Sequence, residues 1–374
     1  MSTIRYRCER CGDTSPLSDL IWKCTMCGGA LELTSSGKIA PSDINRSDHS
    51  LWRYQAALPV AQKDAVALGA GMTPLVPGTL AGHDVLFKLD SLLPTGSFKD
   101  RGAAVMVAYL SEVGANRLII DSSGNAAAAM AGLSAANGLK CVVFAPATTS
   151  PGKLVQSRAF GADVVAVDGS RDAVATAAQG AAENDSSAIY ASHNWHPLFV
   201  EGVKTWALEV WEQLGFRTPA TAWVPTGGGS AFVGAWRGFG ATDQAMPRMM
   251  AAQPAACAPL VAAYAANADD VAPVEAGATL AEGTKIGAPA RGRQMLQAIR
   301  SSGGSAFAVS EDEIKAALQD LWRQGLYVEP TAAVGAAAFR QAVASGMDLS
   351  DGDHVILLTG NGLKATETNA SLLG

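Results

Sequence analysis

From about residue 85 onward the chain repeats one pattern: a short apolar run, a glycine or serine turn, then an alanine-rich amphipathic stretch. This rhythm is the strongest constraint on the fold. It predicts strands at 85–90, 117–121, 140–145, 163–167, 221–225, 305–309 and 354–358. Between them it predicts helices at 99–113, 125–137, 152–160, 172–183, 200–214, 230–239, 311–323 and 331–344. Ser310-Glu311-Asp312-Glu313 reads as a capping box, and Ser150-Pro151 as a helix start with proline at the first position. Strand–helix alternation implies open α/β layers with mainly parallel sheets, whose ligands sit at the carboxyl ends of the strands. Residues 36–80 are less regular and read as a link. No internal repeat or low-complexity linker is apparent.

Composition narrows the class. At about 150 residues per domain, 374 residues suggest two or three domains. A charged fraction of 17% with 48% hydrophobic residues describes a well-buried globular chain. The net charge of −6 argues against a general nucleic-acid or anionic-membrane partner, either of which needs a basic face. No uninterrupted run of about 18 apolar residues suggests a membrane span. The start, Met1-Ser2-Thr3-Ile4-Arg5-Tyr6-Arg7-Cys8, lacks the apolar core of an export signal, so a cytoplasmic protein is expected.

Four of the six cysteines form Cys8-x2-Cys11 and Cys24-x2-Cys27, with twelve residues between the pairs. Each pair places two sulfurs on one tight turn, and two facing turns complete a tetrahedral thiolate site about 2.3 Å in radius around Zn²⁺. All four ligands come from protein, so such a site is closed and structural. Two disulfides are the alternative, disfavoured without an export signal. Arg5, Arg7, Arg10 and Lys23 are too few to suggest nucleic-acid binding, so a folding or oligomer-contact role is the expectation.

Three loops carry candidate chemistry. In Pro94-Thr95-Gly96-Ser97-Phe98-Lys99-Asp100-Arg101-Gly102, Ser97 reads as a helix cap that puts Lys99 at a positive helix end. A neutral or imine-forming lysine relieves that conflict and becomes a nucleophile; the alternative is a solvated lysine paired with Asp100. The loop Asp121-Ser122-Ser123-Gly124-Asn125 follows a strand and opens a helix of small residues, offering either a carboxylate or phosphate seat or an ordinary serine cap. In Val224-Pro225-Thr226-Gly227-Gly228-Gly229-Ser230, consecutive glycines can fold N–H groups round an anion, or form a plain flexible turn. That run is neither a dinucleotide fingerprint nor a Walker loop. Thr359-Gly360-Asn361-Gly362 adds one more hydroxyl at a strand end. An imine-forming lysine, an anion nest and an asparagine at a small-residue helix together suit pyridoxal 5′-phosphate.

These motifs, in this order, resemble fold-type II pyridoxal-phosphate enzymes, the tryptophan synthase β-like group, and among them the threonine synthase family. The resemblance rests on Ser97-Phe98-Lys99-Asp100-Arg101-Gly102, on Ser122-Ser123-Gly124-Asn125 and on Thr359-Gly360-Asn361-Gly362-Leu363-Lys364, and spans essentially the whole chain. It implies that Lys99 holds the aldehyde as an imine and then moves protons. It implies that Asn125 contacts the ring hydroxyl, that Gly227, Gly228, Gly229 and Ser230 bind the cofactor phosphate, and that Thr359 faces the pyridine nitrogen. Ser122, Ser123 and Gly124 would hold the substrate carboxylate, with Ser192 and Asn194 as further substrate contacts, and Glu329-Pro330-Thr331 would lie near the ring. The implied architecture is a knuckle at 1–35, a large lobe from 36–84 and 191–374, and a smaller lobe at 85–190, the two lobes closing on the cofactor as a homodimer.

One run departs from the family. Its members usually carry Asn-Ser-x-Asn-Pro-x-Arg before a Glu-Gly segment, and that Asn and Arg grip the phosphate of O-phosphohomoserine. Here the run is Ala191-Ser192-His193-Asn194-Trp195-His196-Pro197-Leu198-Phe199-Val200-Glu201-Gly202, with alanine at the first Asn and proline at the Arg. His193 and His196 could stand in weakly, or merely cap or pack beside Trp195. A threonine-synthase-like lyase is therefore the first expectation. A β-elimination or β-replacement enzyme on serine, threonine or a related amino acid is the alternative, and an idle zinc-stabilised binding protein is the third.

Overall fold

The computed structural model describes residues 4–35, 37–62 and 65–373, so Met1-Ser2-Thr3 of the leader reading lie outside the described residues. The chain divides into two compact units, one of Met1–Gly71 with Lys99–Val203 and one of Met72–Phe98 with Lys204–Gly374.

In the first unit, four parallel strands run in the order Asp163–Val167, Lys140–Pro146, Arg117–Asp121, Ala188–Tyr190. Parallel neighbours need crossovers, and the helices Asn125–Ala136, Pro151–Ala159 and Arg171–Glu183 supply them. Ile119, Phe144, Val174, Ala178 and Tyr190 form a buried cluster between the sheet and the last of these helices. The helix Lys99–Glu112 is buried from Asp100 to Leu110 and packs on the helix Pro197–Val203. Small residues allow that approach: a Cβ on Gly102 would come within 2.5 Å of the Phe199 ring, and one on Gly202 would strike the Arg101 carbonyl. A separate antiparallel sheet, ordered Thr14–Pro16, Arg5–Cys8, Leu31–Leu33, carries the cysteine turns.

The second unit holds a six-stranded sheet ordered Ser305–Val309, Arg248–Pro254, Thr221–Pro225, His354–Leu357, His83–Lys88, Leu75–Leu80. All neighbours are parallel except the edge pair formed by the last two. At its centre Trp223 packs edge-on against Phe339 at 5.2 Å and beside Phe307 at 5.3 Å. Its Nε1 donates to Thr221 Oγ1 at 2.7 Å, and the Thr221 hydroxyl bonds to His354 Nδ1 at 2.9 Å. His354 Nε2 lies 2.9 Å from the Leu349 carbonyl, so a proton on Nε2 satisfies the whole buried chain in one direction.

These bounds differ from the expected ones. The strand at 83–88 pairs with His354–Leu357 and so belongs to the larger sheet, not to the smaller lobe. Residues 37–62 and 65–71 group with the first unit, as do residues 191–203. The strand Arg248–Pro254 was not predicted, because Met249, Met250, Ala251 and Ala252 carry no β-branched signal; burial on both faces overrides propensity there. The short strand Ala188–Tyr190 was likewise missed. The single helix expected at 200–214 is two helices, Pro197–Val203 and Thr205–Gln213, broken where the units divide.

A buried ion pair ties the second unit together. Lys88 and Glu209 are fully buried, and Lys88 Nζ donates to Glu209 Oε2 at 2.7 Å, to the Thr73 carbonyl at 2.7 Å and to Gln213 Oε1 at 2.9 Å. The Glu209 carboxylate also accepts from the N–H groups of Met72 at 2.8 Å and Thr73 at 3.1 Å, holding Met72 in a left-handed conformation at φ 45°. Removing one member strands the other charge in the interior, so Glu209→Ala should lose about 3–5 kcal/mol of stability in guanidinium titration. Lys88→Met combined with Glu209→Leu should lose less than Glu209→Ala alone.

Candidate active site

In the first unit, Lys99 opens the helix Lys99–Glu112 and is partly buried, with Nζ 5.6 Å from the centre of the Phe199 ring. His193 presents its ring to the same phenylalanine at 5.9 Å and 67°. The His193 side chain is buried and its Nδ1 has no hydrogen-bond partner among the described residues. Burial first, then the positive charges of Lys99 and Arg171, hold its pKa well below the ordinary 6.5. The run 190–196 is tied into the sheet: Ala191 N donates to the Ile119 carbonyl at 2.8 Å, and His196 N to the carbonyl of the buried Ser192 at 2.9 Å. Asn194 is partly buried in this turn.

The strand Arg117–Asp121 runs into Ser122-Ser123-Gly124 and the helix Asn125–Ala136. Gly124 occupies the cap position and no side chain caps the helix, so the serine-cap alternative is not what forms. Ser122 Oγ instead accepts from Gly124 N at 3.4 Å. First-turn N–H groups without an internal partner make a seat for an anion. Just upstream, the buried Asp121 accepts from the Tyr190 hydroxyl at 2.8 Å and faces Arg171 at 4.0 Å. Burial raises its pKa against the opposing effects of these two partners.

In the second unit the strand Thr221–Pro225 leads through Thr226 into the three glycines and the helix Ser230–Gly240. Thr226 is anchored by its N–H to the Ala252 carbonyl at 2.8 Å and its hydroxyl to the Val224 carbonyl at 2.8 Å. Gly229 caps the helix at φ 97°, again without a side-chain cap. A Cβ on Gly227 would sit 2.9 Å from Thr284 Cα, and one on Gly229 2.9 Å from Met295 Sδ. The loop is thus a close-packed cradle of bare backbone with the buried Ser230 at its end, not a slack turn.

Thr359 follows the strand His354–Leu357 in the same unit. Its carbonyl accepts from Phe98 N at 2.9 Å, and Ser97 pairs with Gly360. The Thr359 and Ser97 hydroxyls are both buried without a hydrogen-bond partner among the described residues. Ser97 therefore does not cap the lysine helix as expected; it joins the strand end that carries Thr359. The Glu329 carboxylate lies where a Cβ on Gly360 would be, and Glu329 N donates to the Gly360 carbonyl at 3.1 Å. Two unmet hydroxyls beside a carboxylate, together with the uncapped glycine cradle, fit a polar heteroaromatic ring bearing a phosphate. Sequence reasoning missed Thr284 and Met295 around the glycines and Phe199 beside Lys99, which no local pattern marks.

The four knuckle cysteines come together: their sulfurs all lie within 4.8 Å of one another, with Cys8 and Cys27 at 3.5 Å and Cys11 and Cys24 at 3.7 Å. Such a set could hold a metal ion.

Residues 66–360 match the family described as pyridoxal-phosphate dependent enzyme. Threonine synthase of Methanocaldococcus jannaschii is 34% identical across 96% of this chain and 92% of its own length. That of Mycobacterium bovis is 33% identical across 84% and 88%. Among solved structures, a threonine deaminase from T.th. superposes with a TM-score of 0.65 at 26% identity, covering 77% of this chain and 92% of that one. A fungal L-serine ammonia-lyase from Rhizomucor miehei reaches 0.70 at 20% identity, covering 80% and 97%.

Titration of His193 offers a test of its surroundings. The folded chain keeps the imidazole neutral well below pH 6.5, whereas the unfolded chain protonates it near that value. Above about pH 6.5 both states are neutral; below it the unfolded state binds the extra proton and stability falls. His193→Asn should therefore lessen the loss of stability between about pH 6.5 and pH 5, followed as the denaturant midpoint.

Proposed function

Because this chain belongs to the pyridoxal-phosphate-dependent enzyme family, we propose that it converts O-phosphohomoserine and water to threonine and phosphate. The broader class is plain: it is a pyridoxal-phosphate-dependent lyase of threonine-synthase-like type. The observation that carries the finer reading is similarity to a threonine synthase along 96% of the chain. When bound, the cofactor supplies an electron sink conjugated to the substrate's α-carbon.

The chain's own groups divide the remaining work. Lys99 binds the cofactor aldehyde and is the amine that carries protons at the substrate carbons. The N–H groups of Gly227, Gly228 and Gly229, with Ser230, hold the cofactor phosphate, and Asn125 contacts the ring hydroxyl. Thr359 meets the ring nitrogen; a hydroxyl there, unlike a carboxylate, leaves that nitrogen unprotonated. Ser122, Ser123 and Gly124 seat the substrate carboxylate at an uncapped helix start, with Ser192 and Asn194, which belong to the departing run, as further substrate contacts. Cys8, Cys11, Cys24 and Cys27 bind zinc as a closed structural site. A cytoplasmic homodimer acting on a small amino acid, without nucleic-acid or membrane partners, completes the reading. Among the described residues, no helix is long and apolar enough to cross a membrane.

One observation favours a second reading, β-elimination or replacement on serine, threonine or a related amino acid. The position that carries arginine in the family is Pro197, which opens a buried helix, and the neighbouring His193 stays neutral. Neither gives the charge pairing that suits a leaving phosphate dianion.

Purified protein loaded with pyridoxal phosphate should be yellow, and borohydride should fix the cofactor to Lys99. Phosphate release from O-phosphohomoserine, assayed beside keto-acid release from serine and threonine, separates the readings. Keto acid without any phosphate release would leave only the second. Lys99→Ala should lower kcat on the order of 10³-fold, and purified protein should contain about one zinc per chain.

A further inference from the structure

The knuckle presents two aromatic side chains to the run that departs from the family. Tyr6 lies two residues before Cys8, and Trp22 two residues before Cys24, so each cysteine pair is preceded at the same offset by a large ring. The Tyr6 ring is fully buried and meets His196 edge-on at 6.1 Å and 83°. Trp22 meets Trp195 at 5.6 Å and 79°, and Tyr190 at 4.9 Å and 78°. All of these residues lie in the first unit. The contact at Tyr190 extends further, since its hydroxyl bonds to Asp121, the residue directly before Ser122-Ser123-Gly124.

We propose that the metal knuckle is a positioning device for substrate specificity: Trp22 and Tyr6, held by the cysteine turns, clamp the 190–196 run from outside and, through Tyr190 and Asp121, steady the Ser122 loop. This rests on the reading of the four cysteines as a zinc site and of the two loops as substrate contacts. The physical reason is local. The strands Arg5–Cys8, Thr14–Pro16 and Leu31–Leu33 are only four, three and three residues long, too short to hold two aromatic rings rigidly through ladder bonds alone. A metal joining both turns fixes the offset of each ring from its cysteine. The Tyr6 hydroxyl is buried without a hydrogen-bond partner among the described residues, so the contact with His196 is made by the ring.

The test is amide hydrogen exchange on the cofactor-loaded protein, reading peptides across 190–196 and 118–125, with the strand 305–309 of the other unit as internal reference. Trp22→Ala and Tyr6→Ala should each speed exchange at 190–196 by about tenfold, and Trp22→Ala should also do so at 118–125. The reference strand should stay unchanged. Tyr6→Phe and Trp22→Phe should restore the protection, and removing zinc with a chelator should reproduce the Trp22→Ala pattern. On whichever amino acid the enzyme turns over, Trp22→Ala should raise KM several-fold while kcat changes less than about twofold. Exchange that is unchanged at 190–196, or that rises equally at 305–309, would overturn the clamp. An inactive preparation on O-phosphohomoserine bears on the catalytic reading alone, because the exchange measurement needs no substrate.

Discussion

Parallel strands cannot be joined by tight hairpins, so the parallel pairs in the two large sheets need crossover connections, and each crossover helix begins near the carboxyl end of the strand before it. Every such start brings N–H groups that the helix itself leaves unmet. The chain treats these starts in two ways. Ser170 caps the helix Arg171–Glu183 by accepting from Ala173 N, and Ser310 forms a full capping box with Glu313. Gly124 and Gly229 instead leave the helices Asn125–Ala136 and Ser230–Gly240 without a side-chain cap. With glycine at the cap position the cost is small, on the order of a few tenths of a kcal/mol. The helix Pro151–Ala159 also lacks a side-chain cap, with proline at its first position. What distinguishes the starts at Gly124 and Gly229 is bare glycine backbone whose N–H groups an anion can approach.

The same logic governs polar groups inside the second unit. The Trp223–Thr221–His354 chain is satisfied end to end, and Lys88, Glu209, Thr73 and Gln213 satisfy one another in the interior. The hydroxyls of Ser97 and Thr359 stand with Trp211 Nε1, Gln294 Nε2 and Asn369 Oδ1 among the buried polar atoms of this unit that find no hydrogen-bond partner among the described residues, and what sets the two hydroxyls apart is their shared place at one strand end. They share one strand end with the Glu329 carboxylate, and the backbone link from Phe98 to Thr359 places Lys99 one residue beyond it in the chain.

The knuckle solves a different problem. Three strands of three or four residues bury too little apolar surface to be stable alone, and the four cysteine sulfurs that converge among them could hold a metal ion that would supply the missing cohesion. What the knuckle then presents to its own unit is aromatic: Tyr6 and Trp22. The departing run thus has proline where the resemblance expects arginine and aromatic rings of the knuckle packed against it, and its two histidines are buried.

Much of this was legible in the residues because the signals are local. Cys-x2-Cys turns, the Ser310 box, glycine runs after strands and 3.6-residue periodicity depend on neighbours a few positions away, and the resemblance of the Lys99, Asn125 and Thr359 motifs followed from them. What only the tertiary structure decided depends on partners distant in sequence. The strand at 83–88 joined the larger sheet because His354–Leu357 lies beside it, more than 250 residues away by number. Arg248–Pro254 became a central strand through burial on both faces, although its methionines and alanines carry no strand preference. Ser97 gave up a capping role to pair with Gly360, and Trp22 found Tyr190 and Trp195. Local chemistry is written along the chain, but pairing across it is set by which surfaces can be buried together, and no short stretch of sequence records that choice.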